Sequence, residues 1–141
     1  MSSSCFTNFC FSRAGPGAPA ARHILFVEDE EVLAKLERRQ LESLGYRVTV
    51  YTSSLEALED FRRRPHEFDL LITDNSMPRM PGLALAAEVT RTRPGLPVLM
   101  VSGYAENADP EVLRSSGVSA TLRKPHTAEE LGRAIEALLG Q

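Results

Sequence analysis

The 141-residue chain has little cysteine, no long apolar run and no surplus of positive charge. Each shortage excludes something. The two cysteines, Cys5 and Cys10, both fall in the first ten residues, so they cannot staple a domain together. A structural zinc site needs about four ligands, and no second pair exists to supply them. Two unpaired thiols in a reducing cytoplasm are the plain expectation, which makes the chain cytoplasmic. No apolar stretch approaches the roughly 20 residues of a membrane-spanning helix, so no membrane partner is expected. The formal net charge is −3, and a nucleic-acid binder would carry a basic face instead. What is present is ordinary for a globular protein: 43% hydrophobic and 25% charged residues, enough for one core and too few for two domains.

Residues 1–22 stand apart. They are rich in Ser, Gly, Ala and Pro, include Gly15-Pro16-Gly17-Ala18-Pro19, and read as a disordered leader or linker. No basic segment precedes the mildly apolar Cys5–Phe11, which argues against a signal peptide. Residues 23–141 then form one domain.

Within it, short apolar runs alternate with helical patterns. The runs are Ile24–Val27, Val48–Tyr51, Leu70–Thr73, Val98–Val101 and Ala120–Leu122. They are continuous rather than alternating, as suits parallel strands buried on both faces. A first helix is expected over about Glu30–Leu44, with Leu33, Leu36, Leu41 and Leu44 on one side and Gly45 as its stop. Ser53 and Glu56 make a capping box for a second helix, whose stripe is Leu55, Leu58 and Phe61. A third runs from about Gly82 to Arg93. A fourth opens at Asp109-Pro110 and closes at Gly117. The last opens at Thr127 with Glu130 in capping-box register, and its stripe is Leu131, Ile135 and Leu138. Strict βα alternation predicts an α/β, doubly wound five-stranded parallel sheet with helices on both faces. In such a sheet the site lies beyond the carboxyl ends of the strands.

Those ends carry Glu28-Asp29 after the first strand, Asp74-Asn75-Ser76 after the third, Ser102-Gly103-Tyr104 after the fourth and Lys124-Pro125 after the fifth. Clustered carboxylates repel one another unless a cation relieves them. An all-oxygen donor set favours a hard divalent ion such as Mg2+. Lys124 and Ser102 then suit an anion beside the metal, and a phosphoryl group fits. Singly, each feature has a plainer reading: acids at a helix start, turn chemistry, a solvated lysine. All of them at one sheet edge ask for a common cause.

In this order and spacing the motifs resemble the receiver domain of two-component response regulators, over about residues 22–139. The carrying segments are Ile-Leu-Phe-Val-Glu28-Asp29, Leu-Ile-Thr-Asp74-Asn-Ser-Met-Pro, Val-Ser102-Gly and Lys124-Pro125. The resemblance implies the flavodoxin-like (βα)5 fold with strand order 2-1-3-4-5. It implies that Asp74 accepts a phosphoryl group from a histidine kinase or histidine phosphotransfer protein. Asp29 is then the main Mg2+ ligand, Glu28 assists, and Asp74 and the Ser76 backbone carbonyl complete the protein ligands. Lys124 pairs with a phosphoryl oxygen, Ser102 hydrogen-bonds the phosphoryl group, and the Lys124–Pro125 peptide is cis. Ser76 and Tyr104 flank the path of the hydrolytic water, and a bulky Tyr104 is expected to slow hydrolysis.

Three positions depart from the family pattern. The acidic pair is Glu-Asp rather than two aspartates. The switch position of the fifth strand, usually aromatic, is Thr121. His126 stands where an apolar residue, often Phe, is usual. His126 is not read as a metal ligand, and His23 and His66 look incidental. Two other functions compete. A receiver fold used only for docking is kept open by Thr121, but docking alone does not call for Asp29, Asp74, Ser102 and Lys124 together. An aspartyl-phosphate phosphatase would place its D-x-D pair after the first strand, which here reads Glu28-Asp29-Glu30. The expectation is a phosphoacceptor rather than an enzyme, without an output domain in the chain, acting alone or as the terminal receiver of a hybrid kinase.

Overall fold

A computed structural model describes residues 21–103 and 109–140. The two cysteines, most of the expected leader and Tyr104 lie outside the described residues. Five strands, β1 (His23–Val27), β2 (Arg47–Tyr51), β3 (Leu70–Asp74), β4 (Val98–Ser102) and β5 (Ala120–Arg123), alternate with five helices. The helices are α1 (Glu31–Ser43), α2 (Ser54–Arg63), α3 (Gly82–Thr92), α4 (Pro110–Ser115) and α5 (Ala128–Leu139). All strand pairs are parallel and the order is β2-β1-β3-β4-β5, as expected from sequence.

The pleat sorts each central strand between two cores. Leu25, Val27, Leu71 and Met100 face Ala57 and Phe61 of α2 and Leu85 and Val89 of α3. Ile24, Phe26, Ile72 and Leu99 face Leu41 of α1 and Leu131 and Ile135 of α5. Each fully buried Leu, Ile or Phe contributes roughly 1.5–3 kcal/mol of hydrophobic stabilisation.

Burial corrects the sequence reading in two places. Only β1, β3 and most of β4 are closed on both faces; β2 and β5 are half-exposed. These two are edge strands with one neighbour each, and their helices cover them incompletely. The helix stripes are also narrower than their leucines suggest. Leu36 is 52% exposed, Leu44 41% and Leu55 47%, while Ala34, Leu41, Ala57, Leu58 and Phe61 make the contacts.

The helix ends follow their punctuation. Gly45 takes a φ of 100°, and its amide donates to the Glu42 carbonyl to close α1. Asp109 accepts from the Glu111 amide ahead of Pro110. Thr127 and Glu130 complete both bonds of a capping box. At Ser53, the hydroxyl accepting from the Glu56 amide is the bond formed among the described residues.

The histidine at the start of β1 is structural. His23 is 4% exposed, its Nε2 lies 2.7 Å from Thr49 Oγ1 and its Nδ1 3.2 Å from the Glu67 carbonyl. Burial holds its pKa below the usual value, with Arg47 and Arg64 adding to the effect. His66 is exposed.

A polar network not foreseen from sequence joins β2 to α2. Asp60 is buried, accepts from Tyr51 Oη at 2.7 Å and takes both Nε and Nη2 of Arg64 at 2.8 Å. The Arg64 guanidinium also lies 4.9 Å over the Phe68 ring. The Arg64 hydrogen bonds hold the Asp60 carboxyl down at about 2, against an ordinary 3.8. A depressed carboxylate stabilises the fold above its unfolded pKa, and that contribution disappears as pH falls through the folded value. Asp60→Asn is therefore expected to lose about 2 kcal/mol at neutral pH. The difference from the parent should vanish between about pH 4 and pH 2 in denaturant titrations. An equal difference at both pH values would count against the network.

Candidate functional site

Register explains how the strand ends converge. Val27 lies beside Thr73 in the β1–β3 ladder, so Glu28 leaves the sheet next to Asp74. Asp74 pairs with Val101, and Ser102 pairs with Arg123, which brings Ser102 and Lys124 to the same edge. The strand order reverses between β1 and β3, where the two carboxylate-bearing ends meet.

The polar ends are held closely. Glu28 is 2% exposed, and its Oε2 accepts from the Glu30 amide at 3.1 Å. Its Oε1 accepts from Lys124 Nζ at 3.1 Å. The same Nζ lies 3.7 Å from Asp74 Oδ1. Glu28, Asp29 and Asp74 each offer an oxygen within 4.8 Å of the others. Burial pushes the Glu28 carboxyl above its usual pKa, against the pull of the Glu30 amide and Lys124. Burial would lower Lys124, but its hydrogen bond to Glu28 and the carboxylates around it prevail and hold it up. The lysine therefore stays charged, one cation among several acids. Three oxygen donors with a surplus of negative charge fit a hard divalent ion such as Mg2+.

Backbone contacts fix the loop that carries Asp74. The Asn75 amide donates to the Val101 carbonyl, and its own carbonyl accepts from the Met77 and Gly82 amides. Asn75 Oδ1 accepts from the Leu83 amide at 3.2 Å. That bond caps α3, whose own N-cap, Pro81, forms no side-chain cap. Gly82 is required by close approach, because a Cβ there would run into the Asp74 carbonyl. Asn75 and Gly82 are thus positioning residues that the sequence reading did not single out. A Pro-Gly pair soon after the acidic strand end was the available signal.

The remaining candidates are spread around this edge. Ser102 ends β4 half-buried, and its carbonyl accepts from the Lys124 amide at 2.8 Å. Ser76 is exposed in the loop after β3. Thr121 is exposed on edge strand β5, opposite Met100. The Lys124–Pro125 peptide is cis, as the resemblance implied. His126 is not among the acidic residues. Its Nε2 lies 3.5 Å from Glu37 Oε2 of α1, a partner the sequence reading missed.

This geometry and comparison with known proteins define one class. The response regulator receiver domain family matches residues 24–136, and the chain belongs to it. It is a receiver domain of the two-component signalling type, a family of phosphoacceptors. It is 34% identical over 116 residues to the sensor kinase CckA of Brucella abortus, covering 82% of this chain and 12% of that protein. It is 33% identical over 121 residues to the response regulator receiver protein CpdR of the same species, covering 84% of this chain and 97% of CpdR. Among solved structures it resembles the receiver domain of a sensor histidine kinase from Pseudomonas aeruginosa. That match has a TM-score of 0.77 and 27% identity, and covers 86% of this chain and all of that one. The Pseudomonas domain was solved with a magnesium ion coordinated in its active site cleft. Among the described residues of the present chain, no helix is long and apolar enough to cross a membrane.

Proposed function

We propose that Asp74 is the phosphoacceptor of this receiver domain and takes its phosphoryl group from the phosphohistidine of a histidine kinase or histidine phosphotransfer protein. The observation that carries the reading is the three-carboxylate cluster with Lys124 reaching both Glu28 and Asp74. On this reading residues 23–141 make up the receiver and residues 1–22 a leader or linker.

Asp74 Oδ forms the new bond to phosphorus as the donor's phosphorus–nitrogen bond breaks. The bonding pair returns to the donor imidazole. Glu28, Asp29, Asp74 and the Ser76 carbonyl are the residues to hold Mg2+, which when bound neutralises the carboxylates and the phosphoryl oxygens. Lys124 supplies a fixed positive charge where the phosphoryl oxygens gather negative charge. Ser102 supplies a hydroxyl donor at the neighbouring strand end. Burial of Asp74 to 7% exposure keeps bulk water from competing for the same position.

The test is phosphotransfer profiling. Labelled histidine kinases and phosphotransfer proteins are mixed with the chain in Mg2+ or in chelator. Label is expected to pass to the chain from a cognate donor, and chelator is expected to suppress it. Failure to take label from any donor, including acetyl phosphate, would contradict the reading.

A further inference from the structure

We propose that His126 and Glu37 form a protonation-dependent latch that seats the Lys124–Pro125 turn against α1 and so positions Lys124 in the site. Its effect on labelling rests on the phosphoacceptor reading; the latch itself does not.

The geometry comes first. The His126 side chain is 5% exposed and that of Glu37 14%, with 3.5 Å between Nε2 and Oε2. They sit in a groove between α1 and the turn, flanked by Leu33, Leu36 and Pro125. Gln40, one turn further along α1, also faces this groove, and its Oε1 is buried without a hydrogen-bond partner. The Glu37–His126 pair is thus a charged link between α1 and the turn. Pro125 has a ring-fixed φ and alone separates His126 from Lys124. The seat of His126 on one side and the Ser102 carbonyl, which accepts from the Lys124 amide at 2.8 Å, on the other therefore hold the Lys124 backbone in place.

The chemistry makes the link conditional. An apolar pair would fill this groove at every pH. A His–Glu pair holds it most firmly while the imidazole is charged, because a neutral ring offers the mostly buried Glu37 carboxylate a hydrogen bond at best and no opposite charge. Among the described residues, the charged groups facing His126 are Glu37 from α1 and Lys124 from its own turn. The Thr127 carbonyl lies 3.4 Å from Nδ1. Glu37 raises the His126 pKa above the usual 6.5, and burial and Lys124 only partly oppose it. A raised histidine stabilises its folded arrangement below the unfolded pKa and loses that contribution as pH rises through the folded value. The latch is closed below the folded-state pKa of His126 and opens as pH rises through it.

Two readouts test this on the full chain. In NMR titrations the His126 ring should titrate above 6.5, and the Lys124 and Gly103 amides should shift with the same midpoint. Glu37→Gln should bring that midpoint back toward 6.5. In Mg2+ with acetyl phosphate, the labelling rate of the parent should fall about two- to fivefold, relative to His126→Phe, as pH crosses that midpoint. His126→Phe fills the groove without a charge and keeps the fold comparable. A ring titrating at or below 6.5, amides that ignore it, or one pH profile for parent and His126→Phe would each overturn the latch. Coupled titration in a chain that takes no label would support the latch and contradict the phosphoacceptor reading instead.

Discussion

Asp74→Asn is expected to lower phosphoryl labelling by at least about a thousandfold, because it removes the nucleophile and leaves its surroundings in place. The amide has nearly the size of the carboxylate, so the Asn75 and Gly82 contacts around it survive. The other carboxylates are poorly placed to substitute. Glu28 is committed to the Glu30 amide and to Lys124, and Asp29 belongs to the other strand end. The variant should also fold at least as stably as the parent in chelator. One charge leaves a cluster whose oxygens lie within 4.8 Å of one another, and about 1 kcal/mol of repulsion goes with it. The parent should gain more stability from Mg2+ than the variant, because it offers the ion one more carboxylate. Denaturant titrations with and without Mg2+ measure both effects. Label retained at the parent's rate would remove Asp74 from the role.

Lys124→Met should be the most damaging single change to the site's stability. The methionine keeps much of the stem but removes the cation hydrogen-bonded to Glu28 at 3.1 Å and facing Asp74 at 3.7 Å. Glu28 is then a buried charge without its partner, which costs about 3 kcal/mol in metal-free buffer. The Glu28 carboxyl, already raised by burial, rises further. A raised carboxyl favours its protonated folded form, so the penalty should shrink as pH falls below the folded value and be complete above it. Mg2+ should restore part of the loss. Labelling should drop about a hundredfold even with Mg2+, because the fixed charge at the phosphoryl oxygens is gone. A loss under about 0.5 kcal/mol would mean that Lys124 behaves as a surface lysine.

The parts of this protein written in local sequence were legible. Val- and Ile-rich runs separated by capped helices imply the parallel sheet, and the residues just past each run imply the site. Register does the rest, since parallel neighbours that end together bring their next residues together. Other features depend on what lies across the sheet. Leu36 and Leu55 sit at the margins of helical stripes, and only the neighbouring elements decide which margin is covered. The half-exposure of β2 and β5 follows from their place in the sheet, which a run of apolar residues does not encode. Asp60 with Tyr51 and Arg64, Asn75 with Leu83, and Glu37 with His126 are pairings of side chains that tertiary packing creates. His126 was noticed only as an unusual residue. Its partner on α1 gives it a physical role.

One carboxylate of this acidic edge, Asp74, is the expected acceptor of a phosphoryl group. Peptide mapping by mass spectrometry after reaction with a phosphorylated donor in Mg2+ tests it most directly. One added phosphoryl group is expected, carried by the peptide containing Asp74 and absent when Mg2+ is chelated. An unmodified chain, or a phosphoryl group found on another residue, would contradict it.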